Sequence, residues 1–249
     1  MECEKGHKDV VEFLVSKGAD IDAKKDNGWN PLLTASDAGH LDTVKFLLAQ
    51  GANIEAKFDD GYNSLLLASY YGHLEIVKLL VAQGADIEAK FESGSTSLYL
   101  ASRKGHLEVL EFLVSKGAEI EAKRDNGWNS LLTASYSGHL EVVKLLLNEG
   151  ANLEARDGQY DATPLVWSVL ASGFSNNFPA DYKFEDHDKI FKLLLSRRAN
   201  INAVDNQGDT AFDNACLHNR PKVIDQLKDY IVIDNLKHTS SGKLRMNIK

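Results

Sequence analysis

The sequence predicts an all-α repeat solenoid in which each 33-residue unit holds a β-turn or hairpin and two antiparallel helices. Two observations carry this. His7, His40, His73, His106 and His139 recur at one constant interval, and Gly18, Gly51, Gly84, Gly117 and Gly150 recur at the same interval. The stretch at 125–157, DNGWNSLLTASYSGHLEVVKLLLNEGANLEARD, also recurs, almost intact at 26–57 and more loosely at 59–90 and 92–123.

Within that unit, Asp125-Asn126-Gly127 places residues that tolerate positive φ where a tight turn needs them. The segment 130–137 follows as a first helix, ended by Gly138. The segment 140–148 is apolar at Leu140, Val143, Leu146 and Leu147, the spacing of a helix face. Val142 and Leu145 add a second apolar face, so this helix needs neighbours on two sides. Gly150 stands where a helix takes a left-handed cap.

Turn glycines, the Pro31-Leu32 and Thr163-Pro164-Leu165 pieces, Ala35, Ala68, Ala101 and Ala134, the Gly-His pairs and the Gly-Ala-Asp/Asn runs together resemble the ankyrin repeat. The resemblance covers roughly residues 1–230. One family feature is missing: Leu33, Leu66, Tyr99, Leu132, Val166 and Asp213 replace its TPLH histidine. Apolar packing is the expected substitute there.

In chain order, the repeats occupy residues 1–233. Residues 1–25 form a partial repeat whose helix is 8–16, and an upstream continuation is expected from its incompleteness. Four regular repeats fill 26–157. VEFLVSKGA at 11–19 returns as LEFLVSKGA at 110–118, and DNGWN at 26–30 returns at 125–129, so a three-unit block reads as duplicated. The fifth repeat, 158–204, carries an insertion at 171–188, because the step from Thr163 to Thr210 exceeds the regular period. Its second helix is expected from 190. Arg198 occupies the glycine position of a left-handed cap, so that helix end is expected to differ. A capping repeat at 205–230 and a polar, basic tail at 231–249 finish the chain.

A net charge of −8 argues against nucleic-acid binding, which needs clustered Lys and Arg. No apolar run is long enough to span a bilayer, and residues 1–10 lack a signal core. With two distant cysteines, Cys3 and Cys216, a reducing cytoplasmic or nuclear compartment is expected.

No catalytic or cofactor motif is present. The repeated histidines fall one layer apart, about 10 Å, too far to share a metal at about 2 Å ligand distances. Asp186-His187-Asp188 reads as solvated loop charge. Glu55, Glu88, Glu121 and Glu154 form a ladder without the contrast in environment that acid–base catalysis requires. Catalytic residues, metals and cofactors are therefore not expected, and the chain is expected not to be an enzyme.

The resemblance implies a protein-binding or scaffold module whose concave groove is lined by hairpin tips and first-helix ends. Carried onto this sequence, the partner-binding residues are Asp26, Asn27, Trp29, Asp59, Asp60, Tyr62, Tyr70, Tyr71, Arg103, Lys104, Trp128 and Tyr136. Trp, Tyr and Arg dominate interfaces. The same slots hold Ser95 and Ala38 in other repeats, which suggests that the fold does not require the aromatics. The expected partner is a protein or peptide with basic and apolar anchors, bound by a monomer without nucleic acid or membrane. Two alternatives stand beside this: a targeting arm of a larger enzyme or host-directed effector, and a small-molecule site at the 171–188 insertion.

Overall fold

The computed structural model describes residues 4–59, 61–171, 185–227, 237–238 and 244–245. It divides into two compact units, residues 1–125 and 126–249. In the first, α1 (Lys8–Ser16) precedes three helix pairs: α2 (Pro31–Asp37) with α3 (Leu41–Ala49), α4 (Ser64–Tyr71) with α5 (Leu74–Ala82), and α6 (Ser97–Lys104) with α7 (Leu107–Ser115). First helices pack in the row α2–α4–α6 and second helices in the row α1–α3–α5–α7. The second unit repeats the scheme with α8 (Ser130–Ser137) and α9 (Leu140–Asn148), α10 (Pro164–Leu170) and α11 (Glu185–Ser196), and α12 (Ala211–Leu217) and α13 (Pro221–Leu227). Two-residue strands β1 (Lys237–His238) and β2 (Leu244–Arg245) pair antiparallel in the tail. The rest of the tail lies outside the described residues.

Burial explains why the two helix types differ in sequence. Every residue of α4 from Ser64 to Ser69 is buried, so this helix is apolar or small all round. Its partner α5 buries Ile76, Val77 and Leu80 and exposes Glu75 and Lys78, which pair at 2.7 Å. Each leucine fully buried in this way stabilises the stack by about 1.5–3 kcal/mol.

The first helices start on side-chain caps. The oxygens of Asn30, Asn63 and Asn129 accept from Leu33 N, Leu66 N and Leu132 N at 2.9–3.0 Å. Thr96 and Thr163 cap Tyr99 N and Val166 N at 3.3 and 3.4 Å. Leu33, Leu66, Tyr99, Leu132 and Val166, which replace the histidine, are all buried, so apolar packing fills that position. At Asp213 the solution is different: its carboxylate and Thr210 form a reciprocal capping box.

Carboxylates bind one repeat to the next. Glu55 accepts from Asn63 Nδ2 at 3.1 Å and from Asp86 N at 2.8 Å. Glu88 accepts from Glu119 N at 2.8 Å, and Glu154 from Asn200 N at 2.7 Å. Histidines make a second set of links: the Nε2–H groups of His40, His73 and His106 donate to the carbonyls of Glu4, Asp37 and Tyr70 at 2.7–3.0 Å. Each ring lies against a left-handed glycine of the preceding repeat, and a Cβ on Gly72 would stand 2.5 Å from His106 Nδ1.

Two expectations are corrected in the fifth repeat. Arg198 adopts the left-handed conformation itself, with φ +68, and Ala199 N still bonds Leu194 O at 3.0 Å, as Ala52 N bonds Leu47 O. The helix end keeps its shape because the same carbonyl needs a donor. The insertion also ends earlier than 188, because Glu185–Asp188 form the first turn of α11. Residues 172–184 lie outside the described residues.

Candidate functional site

In the first unit, the C-terminal ends of three first helices bring together one strip of side chains. α2 contributes Asp37, α4 contributes Tyr70 and Tyr71, and α6 contributes Arg103 and Lys104. Each helix runs seven or eight residues before its turn, so these residues emerge as the buried run ends. The Tyr70 and Tyr71 rings meet edge-on, with centroids 4.9 Å apart. Lys104 Nζ sits 4.4 Å from the Tyr70 centroid, a cation–π contact. Arg103 is exposed, and Tyr71 is a large ring left 49% exposed.

The electrostatics of the strip run from acid to base across three repeats. Partial burial pushes the Asp37 carboxyl up, opposed by the nearby His73, and the Tyr71 hydroxyl is directed at that carboxyl. Burial, then the Asp37 charge, pushes the Tyr71 phenol up. His73 and His106 hold the Asp37 and Tyr70 carbonyls, so the strip's backbone is fixed from the next repeat.

The hairpin tips form a second group. Asp26, Asn27 and Asp59 are exposed. Asp60 lies outside the described residues. Trp29 and Tyr62 are half-buried, because they belong to a stack of rings across successive hairpins. Trp29 lies on Phe58 at 4.8 Å, Phe58 on Tyr62 at 5.6 Å, and Tyr62 on Phe91 at 4.4 Å. The stack ends where Ser95 replaces the next ring.

In the second unit, Trp128 and Tyr136 are half-buried around Trp167. Trp128 lies 4.6 Å from Trp167, while Tyr136 and Tyr160 meet it edge-on at 5.5 Å. The indole N–H of Trp167 donates to the buried Asp157 carboxylate at 2.9 Å. The reading that the fold makes no demand on these aromatics is therefore corrected at Trp29, Tyr62, Trp128 and Tyr136, whose rings each pack on a neighbouring repeat's ring or on its own cluster. Phe58, Phe91, Tyr160 and Trp167 are not among the residues expected from the sequence. Contacts between hairpins join unlike positions of adjacent repeats, as Trp29 does with Phe58, so they do not show as a period.

Asp186-His187-Asp188 is also corrected. The three lie on α11, not on a loop, and His187 is buried. Its Nε2–H donates to Tyr136 O at 2.8 Å, so it continues the histidine series. Burial pushes its pKa down. Asp188 pairs with Arg220, and Asp186 with Lys189 at 2.7 Å. Among the described residues, no cluster of three or more His, Cys, Asp or Glu side chains is arranged to hold a metal, and no helix is long and apolar enough to cross a membrane.

A family model described as ankyrin repeats (3 copies) matches residues 1–91, 65–157 and 98–176, and one described as ankyrin repeats (many copies) matches residues 182–227. No curated protein matches the chain.

Proposed function

The chain belongs to the ankyrin-repeat family, whose repeats are generally protein-interaction modules, and from that premise we propose that it is a non-enzymatic binding module docking a protein partner on the Asp37–Tyr71–Tyr70–Lys104 strip. The observation that supports this most is Tyr71, a large aromatic residue with half its surface exposed, beside the Asp37 carboxylate and against Tyr70, whose ring carries the Lys104 cation. Interface hot spots favour such rings, because they bury large area with few rotors. The Tyr70–Tyr71 contact and the histidine bonds hold the strip in place before any partner arrives, which lowers the ordering cost of binding.

The partner that fits is a protein segment with an apolar or aromatic anchor for Tyr71. A basic residue beside that anchor meets Asp37, and the exposed carboxylates of Asp26 and Asp59 favour further basic residues. Arg103 and Lys104 orient the segment by meeting an acidic group at its other end. A displayed peptide library panned on the full chain tests this reading. It is supported if recovered peptides share a basic residue next to an aromatic or leucine and compete with one another. Recovery of no shared pattern, or of peptides that bind a Tyr70→Ala, Tyr71→Ala double variant equally well, sinks it.

A further inference from the structure

A second feature of the first unit does not belong to that strip. Arg156 and Arg220 are partly or wholly buried, and each pairs with a carboxylate, Asp161 and Asp188. Arg124 is also half-buried, yet among the described residues no ion pair holds it. Its one side-chain hydrogen bond runs from Nη1 to the Tyr99 hydroxyl at 3.2 Å, and its Nε–H is closed to solvent without a partner. The guanidinium carbon lies 5.1 Å from the Tyr99 ring centroid, a cation–π contact that fixes its position. Withdrawing a cation from water without a counter-charge costs free energy. The repeat shows that the fold does not ask for it. In the other regular repeats the Tyr99 position holds Leu33, Leu66 and Leu132, and the Arg124 position holds Phe58 and Phe91 in the two preceding hairpins. A third departure lies beside these two. Trp29 lies on Phe58 and Tyr62 on Phe91, but the residue in that place for Arg124 is Ser95, which carries no ring. Asp125 N donates to Ser93 O at 3.1 Å, so the serine hairpin lies alongside Arg124. In place of a ring it offers two hydroxyls, Ser93 Oγ and Ser95 Oγ, 3.0 Å apart.

We propose that Arg124, with the Ser93 and Ser95 hydroxyls, binds an oxyanion carried by a protein segment: the carboxylate of an acidic residue or the phosphoryl group of a phosphorylated one. A guanidinium is a planar fork of donors that matches two oxygens of either group, and such charge-assisted bonds are about twice as strong as neutral ones. The bond between the two serines uses one hydroxyl proton and leaves the other to donate to the same oxyanion. Tyr99 holds the guanidinium before the ligand arrives, which lowers the ordering cost of binding. The surrounding charge favours a segment over a free ion. Glu92 and Asp125, exposed on the two adjoining hairpins, repel an isolated anion but attract a basic residue next to it in a chain.

The test passes three degenerate peptide libraries over the immobilised full chain, with a fixed central glutamate, phosphoserine or alanine. The expected result is retention of the glutamate or the phosphoserine library at least tenfold above the alanine library, and the arm retained identifies the carboxylate or the phosphoryl group as the source. Arg124→Gln should reduce that retention at least tenfold. Ser95→Tyr keeps the cation but restores a ring like that of Tyr62, and should reduce retention as strongly, so the proposal stays testable if Arg124→Gln fails to fold. Circular dichroism of Ser95→Tyr should match the parent. The Tyr70→Ala, Tyr71→Ala double variant should retain the libraries as the parent does, which separates this site from the strip. Equal retention of the three libraries overturns the proposal, and so does retention that survives Arg124→Gln or Ser95→Tyr. A loss in the double variant as large as that in Arg124→Gln also overturns it, by assigning the oxyanion to the strip.

Discussion

Arg220 and Asp188 form an ion pair almost closed to solvent, with side chains 9% and 13% exposed. The same guanidinium donates to the Val169 carbonyl at 3.4 Å. Val169 lies near the end of α10 and Asp188 in the first turn of α11, so one side chain ties together the two helices that flank residues 172–184. Removing this cation alone leaves a buried carboxylate with only the solvent-exposed Lys222, 3.9 Å away, as a charged partner. Arg220→Met should therefore destabilise the second unit by about 3–5 kcal/mol, and Arg220→Met with Asp188→Leu by much less. Urea unfolding, with hydrogen exchange on α11 and α13, checks both. Equal losses in the single and double variants contradict the account.

His187 should make stability depend on pH. Its folded pKa lies below the ordinary 6.5, first because of burial and then because of Arg220, with the Tyr136 bond and Asp188 opposing. The unfolded chain therefore takes up this proton first. The His187 contribution is fully present above about pH 6.5 and is lost as pH falls through the folded pKa. His187→Gln keeps an N–H donor for the Tyr136 carbonyl, and should flatten the fall in unfolding free energy between about pH 7 and 5. Some slope remains, because His218 is shifted the same way by burial and Arg220. An unchanged profile in the variant counts against a buried, neutral His187.

Left-handed positions should separate strain from crowding. Gly84 has φ +90 and open space where a Cβ would go, while Gly72 has φ +79 and faces His106. Gly84→Ala should cost only the left-handed penalty of about 1–2 kcal/mol. Gly72→Ala adds displacement of His106 from the Tyr70 carbonyl, at least about 1 kcal/mol more. At Arg198 the strain is already present, so Arg198→Gly should stabilise the protein by up to about 1 kcal/mol, net of glycine's greater unfolded-state entropy. Thermal unfolding of the three variants gives the order; a less stable Arg198→Gly contradicts the strain.

Much of this fold is legible in the sequence, because the period is set by backbone geometry. The helix read at 8–16 is α1, and that at 140–148 is α9. The caps follow from Asn and Thr standing before each first helix. The fifth repeat is harder to read. His187 follows His139 by more than one period, and HDKIFKLLL aligns with HLEVVKLLL only once the extra residues are removed. A search at the regular interval passes over it. The aromatic contacts are hidden for another reason. Trp29 and Phe58 meet because adjacent hairpins lie side by side, and periodicity does not report side-by-side packing. Tyr71 differs from them: its exposure, which supports the docking proposal, depends on α4 ending at that residue.

Tyr71 and its neighbours are the side chains proposed to carry partner binding. The most direct measurement is the dissociation constant of a library-selected peptide for the parent chain and for Tyr71→Ala, by fluorescence anisotropy. Circular dichroism of the two proteins must coincide. The account expects at least a tenfold loss, with affinity falling further as salt screens Asp37 and Lys104. Equal affinity for the two proteins would contradict it.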